Sequence, residues 1–372
     1  MQQQTDVVAY FGEDPTRVYQ LVQWLPVLEV LDRELRTRLV VRNAEVARLL
    51  SDRTSLSVVH APGFDDLAKA FETLDPAVVL YCNNSRTNVD ALLQHRMLHV
   101  HVNHGESDKQ SMVSNNAKAY DRVFVAGEAA VQRHLAHLLE FDGSSLVRIG
   151  RPQLDLIGPS PLPPSDRRTV LYAPTWEGDA DYNDYTSVDL LGPAIVEAVL
   201  DLPAVRLVYK PHPKVVSSLT PAIAIHHAAI VQRVAEAAAA DPGAGHVVVT
   251  DGDILPLMQA CDAIVTDVSS VGLDWLYLRT DAPIVLTDRH ADREALLRDV
   301  PVARCADVVD LRSITGLAGI LAGSLAHDDR RAAREAMRRH YFGDVRIGES
   351  TQRFVRAVAD LVDLRHRLVS PA

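Results

Sequence analysis

Cysteine is scarce in this chain. Cys82, Cys261 and Cys305 have no paired spacing, which excludes a disulfide scaffold and a zinc knuckle and suits a reducing cytoplasm. Lysine is scarce too. It occurs only at positions 69, 109, 118, 210 and 214, and every other basic residue is arginine, a bias that fits base composition in the source genome. The formal net charge of −11 excludes an extended basic surface, so no nucleic-acid partner is expected. No apolar run reaches the ~20 residues of a membrane span. The opening MQQQTDVVAYF has no basic-then-apolar signal pattern. These absences predict a cytoplasmic protein whose only membrane contact would be peripheral, at the inner face. Internal repeats, low-complexity tracts and heptads are also missing.

What is present is core-forming material in alternation. The 372 residues, 47% of them hydrophobic, suffice for two domains. Strand-like runs at 6–11, 38–41, 56–60, 77–81, 98–102 and 122–125 alternate with helical patterns at 15–35, 44–50, 64–74, 89–94 and 129–139. The strands are short and carry Val and Leu on both faces, as buried parallel strands do. Between 150 and 168 the pattern stops, and GPSPLPPSDRR, with four prolines, reads as a linker. A second alternation follows, with strands at 169–173, 205–209, 246–249, 263–266 and 283–286 and helices at 190–200, 223–240, 254–260 and 269–278. Helical patterns at 328–340 and 350–368 close the chain. In the first of these Arg331, Arg334 and Arg338 share a face. The neighbouring acids Asp328, Asp329 and Glu335 favour a solvated face over contact with acidic lipid. Two doubly wound α/β domains place a ligand cleft between them, at the carboxyl ends of the strands.

Five segments at strand exits carry candidate chemistry. In CDAIVTDVSSVGLDW, 261–275, Thr266 and Asp267 end a strand, and Ser269 and Ser270 fall at a helix N-terminus, where free backbone N–H groups favour phosphate. A plain helix cap by Asp267 and Ser269 is the competing reading and, on these residues alone, the favoured one. NHGESDK, 103–109, puts His104 beside Gly105 after a strand, with Lys109 four residues on. His104 could take a proton from a hydroxyl, against the alternative of a loop histidine in a glycine turn. YAPTWEG, 172–178, offers the Thr175 hydroxyl and Trp176, which could stack on a base or pack an edge. The acidic loop at 179–189 that follows reads as flexible. YKPHP, 209–213, holds His212 rigidly between two prolines beside Lys210, which suits a phosphate. TDGDILPLMQACD, 250–262, carries Asp251 and Asp253 as ligands or, equally, as helix caps. His99 and His101 lack further ligands for zinc and read as packed strand histidines. No metal site is expected.

Taken in order, HG with Lys109, GRPQLD at 150–155, YAPTW, YKPHP, CDAIVTDVSSVGLDW and the tail HYFGDVRIGESTQRF at 340–354 resemble the CDP-glycerol glycerophosphotransferase family. These are the teichoic-acid polymerases and primases of the GT-B fold. The resemblance covers about two thirds of the chain. Asn103 stands where the family usually carries Trp, Glu106-Ser107 where Thr-Pro is common, and Val268 where an aromatic is common. The resemblance implies two Rossmann-like domains with a final helix crossing back to domain one: residues 1–157 on the acceptor side, a linker at 158–168, a CDP-polyol donor domain at 169–345, and the closing helix at 346–372. It implies His104 as base, and His212, Ser269 and Ser270 on the donor's diphosphate, with Gly105, Thr175, Lys210, Thr266 and Asp267 as further donor-site residues. Lys109, Trp176, Asp251 and Asp253 form a secondary set. The implied reaction moves a polyol phosphate, most simply glycerol phosphate, from CDP-glycerol or a related CDP-polyol to a glycan, lipid-linked or polymer acceptor, in teichoic-acid-like or capsular polymer synthesis. It requires no cofactor, with Mg²⁺ on the diphosphate left open. A GT-B glycosyltransferase using a nucleotide sugar and a non-catalytic nucleotide-binding subunit are the alternatives.

Overall fold

The computed structural model describes residues 5–109, 112–178 and 180–370. The chain forms two compact units. The first comprises Met1–Gly105, Val113–Leu156 and Tyr341–Ala372, and the second Glu106–Met112 and Ile157–His340. Sequence patterning did not set 106–112 apart from its neighbours.

Among the described residues, the first unit is built on seven strands: β1 Val7–Phe11, β2 Thr37–Val41, β3 Ser57–His60, β4 Val78–Tyr81, β5 Leu98–His101, β6 Arg122–Val125 and β7 Leu146–Arg148. Their order is β3-β2-β1-β4-β5-β6-β7 and every pairing is parallel. The order reverses direction between β1 and β4. In open parallel sheets the strand carboxyl ends at such a reversal receive ligands. Both faces are covered, so β1 and β4 are buried at every residue, which is why VVAYF and VVLY read as continuous apolar runs. One face packs on Trp24, Leu28, Phe354 and Val358, the other on Phe71, Tyr120 and Val131.

The closing helix Glu349–Val369 belongs to this first unit. Phe354 sits 5.2 Å from the Trp24 ring, centroid to centroid, and edge-on to Phe124 at 6.1 Å. The helix start is held by the GRPQLD turn. Asp155 accepts from the N–H groups of Gly348 (2.6 Å) and Thr351 (2.7 Å), putting a carboxylate on a helix N-terminus. Gly150 has φ +79°, and a Cβ there would lie 2.1 Å from Ser350 Oγ, which accepts from the Arg151 N–H at 3.0 Å. Two segments some 200 residues apart in sequence thus form one joint.

The second unit carries β8 Arg168–Ala173, β9 Val205–Tyr209, β10 Val247–Val248, β11 Ala263–Thr266, β12 Ile284–Thr287 and β13 Asp307–Val309. The order is β10-β9-β8-β11-β12-β13, all parallel, with the reversal between β8 and β11. Its core gathers Tyr172, Tyr209, Ile195 and Leu321.

Several expectations need correction. The single helix at 15–35 is three pieces, Pro15–Arg17, Tyr19–Val22 and Leu25–Asp32. Pro26 has no N–H to continue the ladder, so a new helix starts beside it. The three-residue strands β7 and β13 are too short to show a period. The arginine face of the helix Arg331–Phe342 is solvated only at Arg331, which is exposed and pairs with Glu335 at 3.2 Å. Arg334 is 1% exposed, ion-paired to Asp328, and donates from Nε to the Thr280 carbonyl at 3.0 Å. Arg338 donates to the Tyr277 carbonyl at 2.9 Å and lies 4.7 Å over that residue's ring. Both arginines therefore neutralise the C-terminal end of the helix Ser270–Leu278, where carbonyls lack partners and the dipole is negative.

Candidate functional site

In the first unit the chain leaves β5 through Val102 and Asn103. Asn103 has φ +55°, a left-handed conformation that asparagine tolerates better than other side-chain-bearing residues. Its Oδ1 accepts from the His104 N–H at 2.8 Å, and its carbonyl accepts from the indole N–H of buried Trp24 at 2.6 Å. The Tyr19 ring meets His104 edge-on at 6.1 Å. His104 and Gly105 are half-buried, while His104 Nδ1 is buried with no hydrogen-bond partner among the described residues. Burial first, and the Arg151 guanidinium second, push His104 down to about 4, with the Cys82 backbone opposing in part. The ring is therefore neutral near pH 7.

Behind it, His99 is bonded to Tyr81 Oη (2.8 Å) and to the Gln94 carbonyl (2.9 Å), and His101 stacks on Tyr120 at 5.1 Å. They are packed strand histidines, as expected. Among the described residues no group of three His, Cys, Asp or Glu side chains is placed to hold a metal ion.

In the second unit the exits of β8 and β11 lie side by side at the sheet reversal. Asp267 joins them. Its Oδ2 accepts from the N–H groups of Thr175 (2.7 Å) and Ser187 (3.1 Å), and its Oδ1 from the Thr287 hydroxyl (2.6 Å). Burial raises its carboxyl to about 6, against the pull of those donors. Thr266 donates to the Ala173 carbonyl at 2.7 Å. Thr266 and Asp267 are both 0% exposed. Against the expectation of direct contact with a donor, neither has surface to offer, and both are taken up in hydrogen bonds to neighbouring turns. Thr175 is buried as well, its carbonyl accepting from Thr186 Oγ1 at 2.7 Å.

Ser269 and Ser270, by contrast, are half-exposed at the start of the helix Ser270–Leu278. Ser269 is the N-cap, its Oγ accepting from the Val271 N–H at 3.3 Å. The cap reading holds for Ser269 and not for Asp267, whose carboxylate is taken by Thr175, Ser187 and Thr287, and the helix N-terminus is left half-exposed.

Lys210 is buried at the β9 exit, its Nζ donating to the Thr250 carbonyl at 3.3 Å. Desolvation pushes its ammonium down, and Asp251 and Asp253 push it back up. Both aspartates are exposed, and Asp253 accepts from the Leu255 N–H at 3.2 Å, as a cap does. His212 accepts at Nδ1 from the Lys214 N–H at 3.1 Å and stacks on Trp176 at 6.2 Å. Lys109 also belongs to this unit. It is 8% exposed, with Nζ 5.4 Å from the Tyr185 ring centroid. Desolvation pushes it down to about 8, opposed by Asp267 and Asp184.

The acidic loop is not the flexible segment expected. Residue 179 lies outside the described residues, but Thr186, Ser187 and Val188 are fully buried. Arg289 anchors the loop, pairing with both oxygens of Asp189 (2.5 and 3.0 Å) and with Asp184 (3.1 Å). Ser187, Thr287 and Arg289 were missed in the sequence. A signal existed: Thr-Asp recurs at three strand exits, Thr250-Asp251, Thr266-Asp267 and Thr287-Asp288.

Two all-parallel α/β units with open strand exits are the build of the two-domain GT-B transferases. Solved structures of that build resemble the chain throughout. A UDP-N-acetylglucosamine 2-epimerase from Listeria monocytogenes superposes with a TM-score of 0.64 at 14% identity, over 97% of this chain and 98% of that one. A variant of the wall teichoic acid polymerase TagF gives 0.61 at 15%, over 98% and 90%, and the same polymerase soaked with CDPG gives 0.59 at 14%, over 97% and 90%. A search of curated proteins returned no match. The model of the CDP-glycerol:poly(glycerophosphate) glycerophosphotransferase family matches residues 93–360. The chain belongs to that family and is a glycerophosphotransferase-type transferase.

Proposed function

We propose that the protein transfers glycerol phosphate, or a closely related polyol phosphate, from a CDP-activated donor to an acceptor hydroxyl, releasing CMP, in the synthesis of a teichoic-acid-like or capsular polymer. The observation that carries this reading is the half-exposed Ser269-Ser270 pair at a helix N-terminus, directly after the fully buried Asp267, whose carboxylate ties together Thr175, Ser187 and Thr287. Free N–H groups, two hydroxyls and a positive dipole end suit a diphosphate. Lys210 and His212 supply donor groups from the β9 exit, and Lys109, Trp176 and Gly105 form the wider binding set. Asp253 accepts from the Leu255 N–H, and Asp251 and Asp253 are both charges bearing on Lys210.

In the reaction the acceptor oxygen attacks the phosphorus that bears the polyol. The new P–O bond forms as the P–O bond to CMP breaks, and the acceptor's proton passes to His104. Catalysis rests on positioning and on charge stabilisation. No resident cofactor enters this scheme. Mg²⁺, where used, arrives with the donor's diphosphate. The acceptor is a glycan, a lipid-linked glycan or a growing polymer, met in the cytoplasm or at the inner membrane face. No described helix is long and apolar enough to cross a membrane.

The test is donor binding followed by product analysis. CDP-glycerol is expected to raise the melting temperature by mass action, and the doubly substituted Ser269→Ala, Ser270→Ala protein to lose that response. Turnover is expected to give a phosphodiester and CMP. Stabilisation by UDP-sugars alone, with a glycosidic product, overturns the reading.

A further inference from the structure

Leu219 is the most exposed large apolar side chain among the described residues, at 96%. It stands in the second unit, between the short helix Pro213–Val216 and the long helix Pro221–Ala240. The turn that carries it is fixed. Ser218 Oγ and Thr220 Oγ1 both donate to Glu177 Oε1, at 2.5 and 3.0 Å, and Ser218 Oγ accepts from the Thr220 N–H at 3.2 Å. Thr220 is the N-cap residue of the long helix, but its hydroxyl goes to Glu177 and makes no cap bond. The first N–H groups of the helix are left uncapped by it, at the positive end of the dipole. An apolar residue just before an N-cap ordinarily packs on the fourth helical residue. Here that residue is Ala224, itself exposed and too short to cover a leucine. Val216 and Ile225, which flank Leu219 in sequence, are exposed as well.

The setting of these side chains is unusual for this protein. The exposed Phe64, Val89, Leu139, Leu190 and Leu311 each adjoin an Asp or Glu. Around Leu219 no acid occurs from Leu202 to Ala235, in a chain with 49 acids and a net charge of −11. Glu177 is the acid that the turn meets, and its Oε1 is taken by the two hydroxyls while its Oε2 is buried.

We propose that this tip is a membrane-contact surface: Leu219, with Val216 and Ile225, enters the boundary of an anionic lipid bilayer, and the uncapped helix N-terminus meets headgroup phosphates. A leucine already held out on a fixed turn gains its transfer energy on entering lipid with little cost in ordering. The acid-free stretch keeps headgroup repulsion small where the net charge would otherwise hold the protein off. Contact through so few side chains is weak and reversible. The inference concerns this surface and does not depend on the reaction catalysed.

The test is flotation of the chain, without substrate, on vesicles of about one-third phosphatidylglycerol in phosphatidylcholine. The native chain is expected to float. Leu219→Asp is expected to lose about tenfold or more in partition and Ile225→Asp about threefold. Leu311→Asp, at an exposed leucine beside Asp310, is expected to float as the native chain does. An unchanged melting temperature in Leu219→Asp shows that the loss is not unfolding, since the side chain is almost fully exposed. Leu219→Cys carrying an environment-sensitive fluorophore is expected to shift to the blue on adding the vesicles. Cys82, Cys261 and Cys305 are buried and do not compete for the label. A native chain that stays with the soluble fraction, or Leu219→Asp floating equally well, overturns the inference. Equal flotation on phosphatidylcholine alone overturns the headgroup contact. A dimer in solution that Leu219→Asp abolishes, with no flotation, assigns the tip to a second copy of the chain and overturns the bilayer. Each of these outcomes leaves the reading of the donor site untouched.

Discussion

The chain leaves β5 and β11 by turns built in opposite ways. At β5 a side chain is aimed by a conformation: Asn103 adopts φ +55°, clasps the His104 N–H with its own side chain, and is gripped at its carbonyl by Trp24. At β11 a helix end is aimed by a buried charge: Asp267 gathers Thr175, Ser187 and Thr287 and leaves Ser269 and Ser270 at the surface. The first arrangement yields one half-buried imidazole, the second a half-exposed helix N-terminus. The function proposed above asks the first to act as a base, which must be singular and weakly solvated, and the second to hold a phosphate, which is bound by many weak donors at once. His104 and Asp267 are both ionisable and desolvated, yet desolvation acts on them with opposite sign, because it disfavours whichever form is charged.

That opposition gives the sharpest tests. The largest stability loss is expected from Asp267→Ala. It leaves the Thr175 and Ser187 N–H groups buried without acceptors, at about 1–3 kcal/mol each, so urea unfolding should show a loss of about 3–5 kcal/mol. A loss below about 1 kcal/mol would mean that Asp267 is not the hub described. Next is His104→Ala, expected to lower kcat by about 10²-fold or more at little cost in stability. Because the ring titrates near 4, kcat/KM of the native enzyme should be flat between pH 5 and 7 as far as this group is concerned and fall with acid through about 4.

Stability against pH separates the two turns further. Asp267 goes from 3.8 unfolded to about 6 folded. The folded state holds the extra proton in that window, so this contribution is present below about 4 and is lost as pH rises through about 6. His104 goes from 6.5 to about 4, so its contribution is present above 6.5 and is lost as pH falls through about 4. Subtracting the stability profiles of Asp267→Asn and His104→Gln from the native profile should give slopes of opposite sign. Slopes of the same sign would break the comparison.

Smaller effects are expected at the aiming residues. Asn103→Val forces a β-branched side chain into the left-handed region and should cost about 1–3 kcal/mol, whereas Asn103→Gly, which accepts that φ, should cost under ~1 kcal/mol. Ser269→Ala removes the N-cap acceptor and should cost about 1 kcal/mol, with Ser269→Gly costing only a few tenths. If the two Asn103 variants unfold alike, conformation is not what aims His104.

Much of this was legible in the sequence. The Val- and Leu-rich runs of β1, β4, β8 and β11 announce buried parallel strands, and the proline-rich stretch announces the break between the two alternations. His104, His212, Ser269 and Ser270 fall at strand exits in the structure because strand, turn and helix signals stand next to one another in the chain. What was misread shares one cause. Arg334 looked solvated because its neighbours in sequence are acidic, but its partners are Asp328 and a carbonyl at the end of another helix. The loop before Asp189 looked flexible because its anchor, Arg289, lies 100 residues on. Thr266 and Asp267 looked like ligands because type and position suited phosphate, while their exposure depends on β8 and β12.

By itself the sequence determined the local terms: apolar period, proline breaks, the Ser269 cap and the fixed backbone around His212. These arise from sterics and hydrogen bonds spanning a few residues. Only the tertiary structure decided which polar groups face outward, which way desolvation moves His104 and Asp267, and how the GRPQLD turn meets the closing helix. Each of those depends on what is packed alongside, and burial is a property of neighbours that the linear order does not hold.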